Sequence, residues 1–246
     1  MPARFQKKVV LVTGGSTGIG LATAQRLVAE GATVFITGRR QAELDDATAQ
    51  LGHQAMAIQG DITSQADLDR LFATIREQAG RLDAVIANAG AGSQVPLGEY
   101  TNEQFDERFN LNIKGTAFTV QGALPLMSRG GAIVLLGSIS GRSGMAGLGI
   151  YGATKAGLRL LARTWSTELK ERGIRVNIVS PGIFITETYA AAGLTEASFD
   201  ALLPSIPLGR LGQLPEVAAV IAFAASDDSS YMTGAELVVD GGLTQV

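Results

Sequence analysis

The chain has 246 residues, of which 46% are hydrophobic and 17% charged, with a formal net charge of −3. These proportions are ordinary for a soluble globular enzyme, and the scattered lysines and arginines argue against a nucleic-acid or membrane-surface binder. The lack of cysteine excludes disulfides, thiolate catalysis and cysteine-based metal sites, and it suits a reducing compartment.

The N-terminal sequence superficially resembles a secretory signal, because two lysines precede an apolar run. That run extends only from Val9 to Val12 before a Thr-Gly-Gly sequence, which is too short for the core of a signal peptide. No other stretch approaches the ~20 apolar residues that a membrane span requires. We therefore expect a cytoplasmic protein with neither a membrane partner nor a nucleic-acid partner.

Short β-branched runs alternate with longer helical stretches along the whole chain. Most runs are continuously apolar, as expected for strands covered on both faces, and such alternation indicates a parallel sheet between helices. The predicted strands are Lys8–Val12, Thr33–Thr37, Ala55–Gln59, Ala84–Ala87, Ala132–Leu136, Arg175–Val179 and Glu236–Val239. The predicted helices include Ile19–Glu30, Gln65–Gln78, Asn102–Met127 and Tyr151–Arg172. We predict one α/β domain over residues 1–246, a doubly wound Rossmann-type parallel sheet of about seven strands with helices on both faces.

One segment departs from this alternation. Four prolines lie from Pro181 to Pro215, around a short alanine-rich helical piece. A long excursion in a compact domain is often a lid or a binding segment. Residues 187–213, which are rich in Ala and Leu with few charges, are therefore predicted to cover a fairly apolar substrate.

A glycine-rich turn, TGGSTGIG, follows the first predicted strand, with the spacing Gly14-x-x-x-Gly18-x-Gly20. Ligands of open parallel sheets bind beyond the carboxyl ends of the strands. Glycines there let the backbone approach a pyrophosphate, and the following helix offers free N–H groups and a partial positive charge. A tight turn without a ligand is the alternative, but the position after the first strand favours a dinucleotide.

The end of the second strand indicates which nicotinamide cofactor is preferred. NAD binders commonly place an acid there, and NADP binders an arginine for the 2′-phosphate. This chain has Gly38 at that point, followed by Arg39 and Arg40. A guanidinium without a competing carboxylate favours NADP, with Arg39 nearer the strand end. The alternative is that both arginines are solvated residues at the start of a helix.

Ordered motifs follow one another beyond the glycine-rich turn. They are GDIT at Asp61, Asn88-Ala89-Gly90, Asn112, Ser138, Tyr151-x-x-x-Lys155, Pro181-Gly182-x-x-x-Thr186, PLGRLGQLPEVA and the terminal VVDGG. In this order and spacing they resemble the short-chain dehydrogenase/reductase family over essentially the whole chain, and its 3-oxoacyl-acyl-carrier-protein-reductase-like members in particular.

The resemblance implies catalytic roles for four residues. Tyr151 would be the acid/base, giving its phenolic proton to the substrate oxygen in carbonyl reduction and taking it back in alcohol oxidation. Lys155 would hold the nicotinamide ribose and lower the pKa of Tyr151. Ser138 would hydrogen-bond the reacting oxygen, and Asn112 would anchor a water in the proton relay behind the lysine.

The resemblance also implies a cofactor site. Asp61 and Ile62 would meet the adenine, the Asn88 to Gly90 segment would line the cofactor, and Thr186 would hold the carboxamide. The full predicted set is Gly14, Ser16, Thr17, Gly18, Ile19, Gly20, Arg39, Asp61, Ile62, Asn88, Ala89, Gly90, Tyr151, Lys155, Pro181, Gly182, Ile183 and Thr186.

Two positions depart from common patterns of the family. Ala87 stands where an asparagine often precedes Asn88, a variant expected to be harmless. Many NADP-preferring members carry a basic residue where this chain has Thr17, so phosphate recognition would rest mainly on Arg39, with help from Ser16. NAD therefore stays an alternative cofactor.

The chemistry of the Tyr151 and Lys155 pair also follows from helix geometry. Residues i and i+4 lie on one helix face, and a close ammonium can lower a phenol's pKa of ~10 by ~2–3, equivalent to ~3–4 kcal/mol. Hydroxyls of Ser138 and Tyr151 aimed at one oxygen would stabilise developing charge. The alternative is a half-buried helix pair with Ser138 as a strand-end cap. We interpret the single histidine, His53, as a surface or structural residue and predict no metal site.

Three functions follow as alternatives. The first is an NADP(H)-dependent enzyme that interconverts a carbonyl and a secondary alcohol. The second, a variant of the first, is an NAD-preferring dehydrogenase or a 3-oxoacyl-acyl-carrier-protein reductase. Arg129 and Arg172 align with basic positions of such reductases, although solvated charges are the simpler interpretation. The third is a non-catalytic dinucleotide-sensing regulator, disfavoured because all four catalytic residues are present. The resemblance implies a homotetramer built on the two long helices, and the Ala-rich face of the second is compatible with close packing.

Overall fold

A computed structural model describes residues 3–186 and 195–246. Seven parallel strands form one sheet in the order β3-β2-β1-β4-β5-β6-β7. They are β1 Val9–Thr13, β2 Thr33–Gly38, β3 Ala55–Gln59, β4 Leu82–Ala87, β5 Met127–Leu136, β6 Arg175–Pro181 and β7 Glu236–Val239. This confirms the predicted doubly wound α/β sheet, with strand ends shifted by a few residues.

Two apolar cores lie on opposite faces of the sheet. The α-helices are α1 Gly18–Ala29, α2 Gln41–Leu51, α3 Gln65–Gln78, α4 Asn102–Phe109, α5 Thr116–Ala123, α6 Gly149–Glu168 and α7 Leu214–Ala225. Buried side chains of α1, α2 and α7 pack on one face, and those of α3, α5 and α6 on the other. Alternate strand residues enter each core, which explains the continuously apolar runs.

The prediction of one helix over Asn102–Met127 is wrong. A π-helical turn, Asn110–Gly115, separates α4 from α5, and α5 ends at Ala123. A 3-10 turn containing Pro125 follows, and β5 begins at Met127. Proline lacks the N–H that would continue a helix, so the chain turns there into the sheet. The predicted helix Tyr151–Arg172 likewise divides into α6 and a 3-10 turn at Lys170–Arg172.

A buried carboxylate anchors the N-terminal segment. Glu30 is fully buried, and its oxygens accept hydrogen bonds of 2.6 Å from Arg4 Nε and Nη2 and a third from Arg26 Nε. Burial alone would raise the pKa of Glu30, but these two guanidinium groups outweigh it and hold the pKa below its ordinary value. The ionised form is thus built into the fold.

A buried arginine closes the carboxyl end of α7. Arg175, on β6, donates to the Ala224 carbonyl at 3.0 Å, the Ser226 carbonyl at 2.8 Å and Ser229 Oγ at 2.7 Å. The last carbonyls of a helix have no intrahelical partner and carry partial negative charge. The guanidinium satisfies them and so fixes α7 on the sheet.

In residues 3–186 and 195–246, no helix is both long and apolar enough to cross a membrane.

Candidate active site

The carboxyl ends of β1 and β4 meet where the direction of winding changes, and hydrogen bonds join them there. Thr13 Oγ1 accepts from the backbone N–H groups of Asn88 at 3.1 Å and Ala89 at 3.0 Å. The Asn88 amide donates to the carbonyls of Thr13 and Gly14, both at 2.9 Å. Asn88 therefore fixes the start of the glycine-rich turn. Such a switch point is where open sheets bind ligands.

The glycines of this turn are required by space and by backbone conformation. Gly14 and Gly18 have φ angles of 60° and 54°, in the left-handed region. A Cβ on Gly20 would overlap the Gly14 carbonyl oxygen and lie 2.6 Å from Asn88 Nδ2. Only hydrogen fits there, so the backbone itself forms the floor. Thr17 begins α1 without a side-chain cap, which leaves the first N–H groups of the helix for a phosphate. The residues present fit a dinucleotide.

A carboxylate that sequence reasoning missed lies shortly after the end of β2. Glu43, in the first turn of α2, places Oε2 3.5 Å from Ser16 Oγ and forms an ion pair with Arg40. Arg39 is exposed, and its guanidinium has no hydrogen bond or ion pair within the part of the chain that is described. The expectation that no acid stands near Arg39 and Arg40 is therefore wrong. No sequence pattern marks Glu43, since it lies five residues beyond Gly38.

The two predicted adenine contacts, Asp61 and Ile62, follow β3. Asp61 Oδ1 accepts from the backbone N–H and hydroxyl of Thr63, at 2.9 and 2.8 Å, so the carboxylate also closes its own turn. Ile62 is 6% exposed and its side chain belongs to the core. A Cβ on Gly115 would lie 2.9 Å from Ile62 Cδ1, so the π-helical turn packs tightly against it.

Ser138 and the start of α6 are brought together by close backbone packing. Ser138 lies two residues beyond β5 and begins the 3-10 turn Ile139–Gly141, where its Oγ accepts from Ser140 N at 3.2 Å. A Cβ on Gly152 would lie 2.5 Å from the Ser140 carbonyl oxygen, and one on Gly141 would lie 2.8 Å from the Lys155 carbonyl carbon. The small residues between Ser138 and Lys155 thus let this turn contact the α6 backbone.

Lys155 is a buried cation within α6. Its side chain is 3% exposed and Nζ donates to the Leu136 carbonyl at 2.7 Å, at the end of β5. Burial lowers the pKa of Lys155 from 10.5 to about 8, because the apolar surroundings disfavour the charged form. Nζ lies 5.6 Å from the centre of the Tyr151 ring. The buried ammonium therefore lies beside the Tyr151 ring.

Asn112 lies on the π-helical turn and is fully buried. Its Oδ1 accepts from Ala91 N at 3.0 Å, and its amide donates to the Ala91 carbonyl and to Thr154 Oγ1, both at 3.0 Å. Thr154 in turn donates to the Tyr151 carbonyl at 2.7 Å. Thr154, which sequence reasoning missed, therefore links Asn112 to the helix turn that carries Tyr151. Its position three residues after Tyr151 was the available signal.

The predicted residues of β4, the π-helical turn and α6 meet at Gly90. A Cβ on this glycine would lie 3.1 Å from Asn112 Oδ1 and 3.3 Å from Lys155 Nζ. A Cβ on Gly92 would lie 3.4 Å from the Tyr151 ring. The bare backbone after β4 thus leaves room beside the amide, the ammonium and the phenol. Of the predicted catalytic residues, the geometry groups Asn112, Tyr151 and Lys155 here, with the turn after Ser138 packed on the same part of α6.

The segment after β6 begins with Pro181 and Gly182. Gly182 N donates to the Val239 carbonyl at 2.8 Å, and a Cβ on Gly182 would lie 2.7 Å from Asp240 Cβ. The Ile183 carbonyl accepts from Gly212 N at 3.0 Å. Thr186 is half-buried at the end of this described stretch. Residues 187–194 of the predicted covering segment lie outside the described residues.

The two arginines considered for acyl-carrier-protein contact have backbone partners. Arg172 donates to the Leu124 carbonyl at 2.8 Å and the Met127 carbonyl at 2.6 Å, and is half-buried. Arg129 is exposed and donates to the Glu171 carbonyl at 2.6 Å. Arg172 thus stabilises the connection between α5 and β5.

Over the described ranges, no cluster of three His, Asp or Glu side chains could hold a metal ion.

Comparisons with known proteins agree with this geometry. A family model described as enoyl-(acyl carrier protein) reductase matches residues 14–244. The chain is 52% identical to the oxidoreductase asL5 of Sarocladium schorii, over 99% of this chain and 98% of the relative. It is 37% identical to the 3-oxoacyl-[acyl-carrier-protein] reductase FabG of Thermotoga maritima, over 98% and 99%. A solved short-chain dehydrogenase/reductase (glucose/ribitol dehydrogenase) of Brucella melitensis covers all of both chains at 31% identity, with a TM-score of 0.94.

Proposed function

We propose a reaction from the premise that this chain belongs to the short-chain dehydrogenase/reductase family of oxidoreductases, as its relatives and fold establish. It interconverts a carbonyl and a secondary alcohol on a small molecule, with NADP(H) as the preferred cofactor. The observation that carries this proposal is the grouping of Asn112 and Lys155 at Gly90 and of Tyr151 at Gly92, in the segment that follows β4.

The chain's own residues supply the cofactor site. The backbone of Gly14, Gly18 and Gly20 with the start of α1 receives the pyrophosphate, and Ser16 with Arg39 receives the 2′-phosphate. Asp61 would contact the adenine, and the segment after β4 together with Thr186 would hold the nicotinamide end. When bound, the cofactor carries the hydride.

Proton transfer falls to the side chain of Tyr151 on α6, helped by its neighbours. Tyr151 gives its phenolic proton to the carbonyl oxygen during reduction and removes it from the alcohol during oxidation. Lys155, whose ammonium lies 5.6 Å from the ring centre, stabilises the phenolate. Ser138 donates a hydrogen bond to the same oxygen. Asn112 keeps the Ala91 backbone and the first turn of α6 in place.

The Tyr151→Phe variant tests this assignment. It removes the phenolic proton and keeps the ring, so we expect turnover of a ketone panel to fall at least ~10²-fold while the Kd for NADPH stays within about twofold. Tyr231→Phe, at a fully exposed tyrosine, is the matched control and should retain wild-type rates. Wild-type turnover by Tyr151→Phe would exclude Tyr151 as the acid/base. Cofactor binding without turnover of any substrate in wild type would favour the regulator instead.

Initial-rate titrations of NADPH against NADH test the cofactor preference. A charge-assisted contact with a phosphate contributes roughly 1.5–3 kcal/mol, so Arg39→Ala should weaken NADPH binding by about tenfold or more. NADH binding should change little, because it has no 2′-phosphate. A wild-type enzyme that clearly prefers NADH would contradict the NADP assignment.

A 3-oxoacyl thioester is the second candidate substrate. The relatives named 3-oxoacyl-[acyl-carrier-protein] reductase, at 36–38% identity, favour it. The engagement of Arg172 with backbone carbonyls speaks against its use in carrier docking. Rates with 3-oxoacyl thioesters, 2-enoyl thioesters and simple ketones, side by side, separate these chemistries.

A homotetramer and a cytoplasmic location complete the proposal. Apolar side chains on α4, α5 and α6 are exposed in the protomer, namely Phe105 at 45%, Phe118 at 37% and Leu160 at 65%. Burying them against another copy would be favourable. Residues 187–213 are proposed to cover the substrate within the single domain. Light scattering on the purified protein would give its oligomeric state.

A further inference from the structure

The carboxylate of Glu43 occupies the exit of β2. Its side chain is 31% exposed, Oε2 lies 3.5 Å from Ser16 Oγ, and the same oxygen accepts from Arg40 Nη2 at 2.5 Å. Ser16 Oγ in turn lies 3.2 Å from the position of a Cβ on Gly38. The acid thus connects the glycine-rich turn with the residues that follow the second strand.

The two neighbouring arginines are therefore not equivalent. Arg40 is neutralised by Glu43, whereas the Arg39 guanidinium makes no hydrogen bond or ion pair with any other described residue. A dianion placed between Ser16 and Arg39 would meet one available guanidinium and one nearby carboxylate. A phosphate hydrogen-bonded to Ser16 would lie close to the Glu43 carboxylate, whose Oε2 is 3.5 Å from Ser16 Oγ, and partly exposed charges this close interact appreciably.

We propose that Glu43 is a specificity-determining residue that limits the preference for the 2′-phosphate. It repels the dianion and withholds Arg40 from it, while an unphosphorylated ribose has no charge to repel. The preference for NADPH, measured as the Kd for NADH divided by the Kd for NADPH, is thus smaller than it would be with Ser16, Arg39 and Arg40 but without Glu43. This inference rests on the proposed function, in which Ser16 and Arg39 receive the adenosine end of the cofactor.

Glu43→Gln tests the inference, because glutamine keeps the size of the side chain and one acceptor oxygen, but removes the charge and the second acceptor that hold Arg40. We expect the Kd for NADPH to fall about tenfold and that for NADH to change less than twofold. The matched control, Glu103→Gln, removes an exposed charge from the first turn of α4 and should change neither value. The increase in NADPH affinity caused by Glu43→Gln should be smaller in a protein that also carries Arg40→Ala, because removing the Glu43 charge then frees no Arg40 guanidinium for the phosphate.

The adenosine fragments 2′,5′-ADP and 5′-AMP should repeat this pattern in calorimetry, without any contribution from the nicotinamide end. An unchanged affinity ratio in Glu43→Gln would overturn the inference, as would equal tightening of both cofactors. Weaker NADPH binding would overturn it too, because Glu43 would then be ordering Ser16 for the phosphate. Failure of the NADP assignment is recognised separately, by an Arg39→Ala variant that binds NADPH as well as wild type.

Discussion

Lys155 offers a direct test of how the site's electrostatics affect stability. Its ammonium is buried at 3% exposure, with one carbonyl acceptor, and burial lowers its pKa from 10.5 to about 8. We expect Lys155→Met to alter how the stability of the cofactor-free protein depends on pH. Methionine has a similar length and no charge, so the variant removes the titration and largely keeps the packing.

The size of the effect follows from the two pKa values. The difference of about 2.5 between the unfolded and folded pKa of Lys155 lowers the free energy of unfolding by about 3 kcal/mol below pH 8, where the lysine is charged in both states. Between pH 8 and 10.5 the unfolded chain binds more protons than the folded one, so the free energy of unfolding rises with pH. From pH 7 to pH 9 the wild type should gain about 1 kcal/mol relative to Lys155→Met.

Urea unfolding at pH 7, 8 and 9, at one protein concentration, measures this gain through the fluorescence of the single tryptophan, Trp165. The absolute stability at pH 7 is less diagnostic, since the variant also loses a charge-assisted hydrogen bond of about 1.5–3 kcal/mol to the Leu136 carbonyl. Lys170→Met, at an exposed lysine, controls for the loss of one charge. Parallel pH dependences in wild type and Lys155→Met would refute the reasoning.

Three further predictions concern the backbone floor and the buried ions. Gly20→Ala should abolish dinucleotide binding in a fluorescence titration and lower the free energy of unfolding by about 1–3 kcal/mol, because its Cβ would overlap the Gly14 carbonyl oxygen. The control variant, Gly144→Ala, places its Cβ in open space and should be nearly neutral in both measurements. Arg175→Met should lower the free energy of unfolding in urea by about 3 kcal/mol, since it removes three hydrogen bonds from a charged donor and leaves the two buried carbonyls with Ser229 as their remaining donor. Glu30→Gln should lose less stability than wild type between pH 5 and pH 3. In wild type the lowered pKa of the Glu30 carboxyl contributes its full stabilisation above pH 4.5, and that stabilisation is lost as the pH falls through the pKa of the folded state.

Each of these has a contrary result. Equal NADPH affinity in Gly20→Ala and Gly144→Ala would mean that the turn does not form the cofactor floor. Wild-type urea stability of Arg175→Met would show that water satisfies the end of α7 without the guanidinium. An acid-induced loss in Glu30→Gln as large as in wild type would place the responsible titration on other carboxylates.

The fold was largely predictable because strand and helix periodicity are local. Continuous apolar runs predicted all seven strands, and the glycine spacing predicted the turn in which contacts exclude a side chain at Gly20 and a left-handed backbone disfavours one at Gly14. The long helix was the main error. Its composition is helical throughout, yet the π-helical turn at Asn110–Gly115 depends on the side-chain bonds of Asn112 to Ala91 and Thr154, from other elements.

The sequence by itself determined the sheet, the glycine-rich turn and the identities of the predicted site residues, because spacing along the chain encodes them. Only the tertiary structure decided the pairing of charges. Glu43 reaches Ser16 because α2 lies beside the glycine-rich turn, whereas its ion pair with Arg40 is local, three residues apart. Lys155 loses its water because β5 and the segment after β4 surround it. Desolvation and ion pairing depend on distances between elements far apart in the chain, and residue spacing does not give these distances.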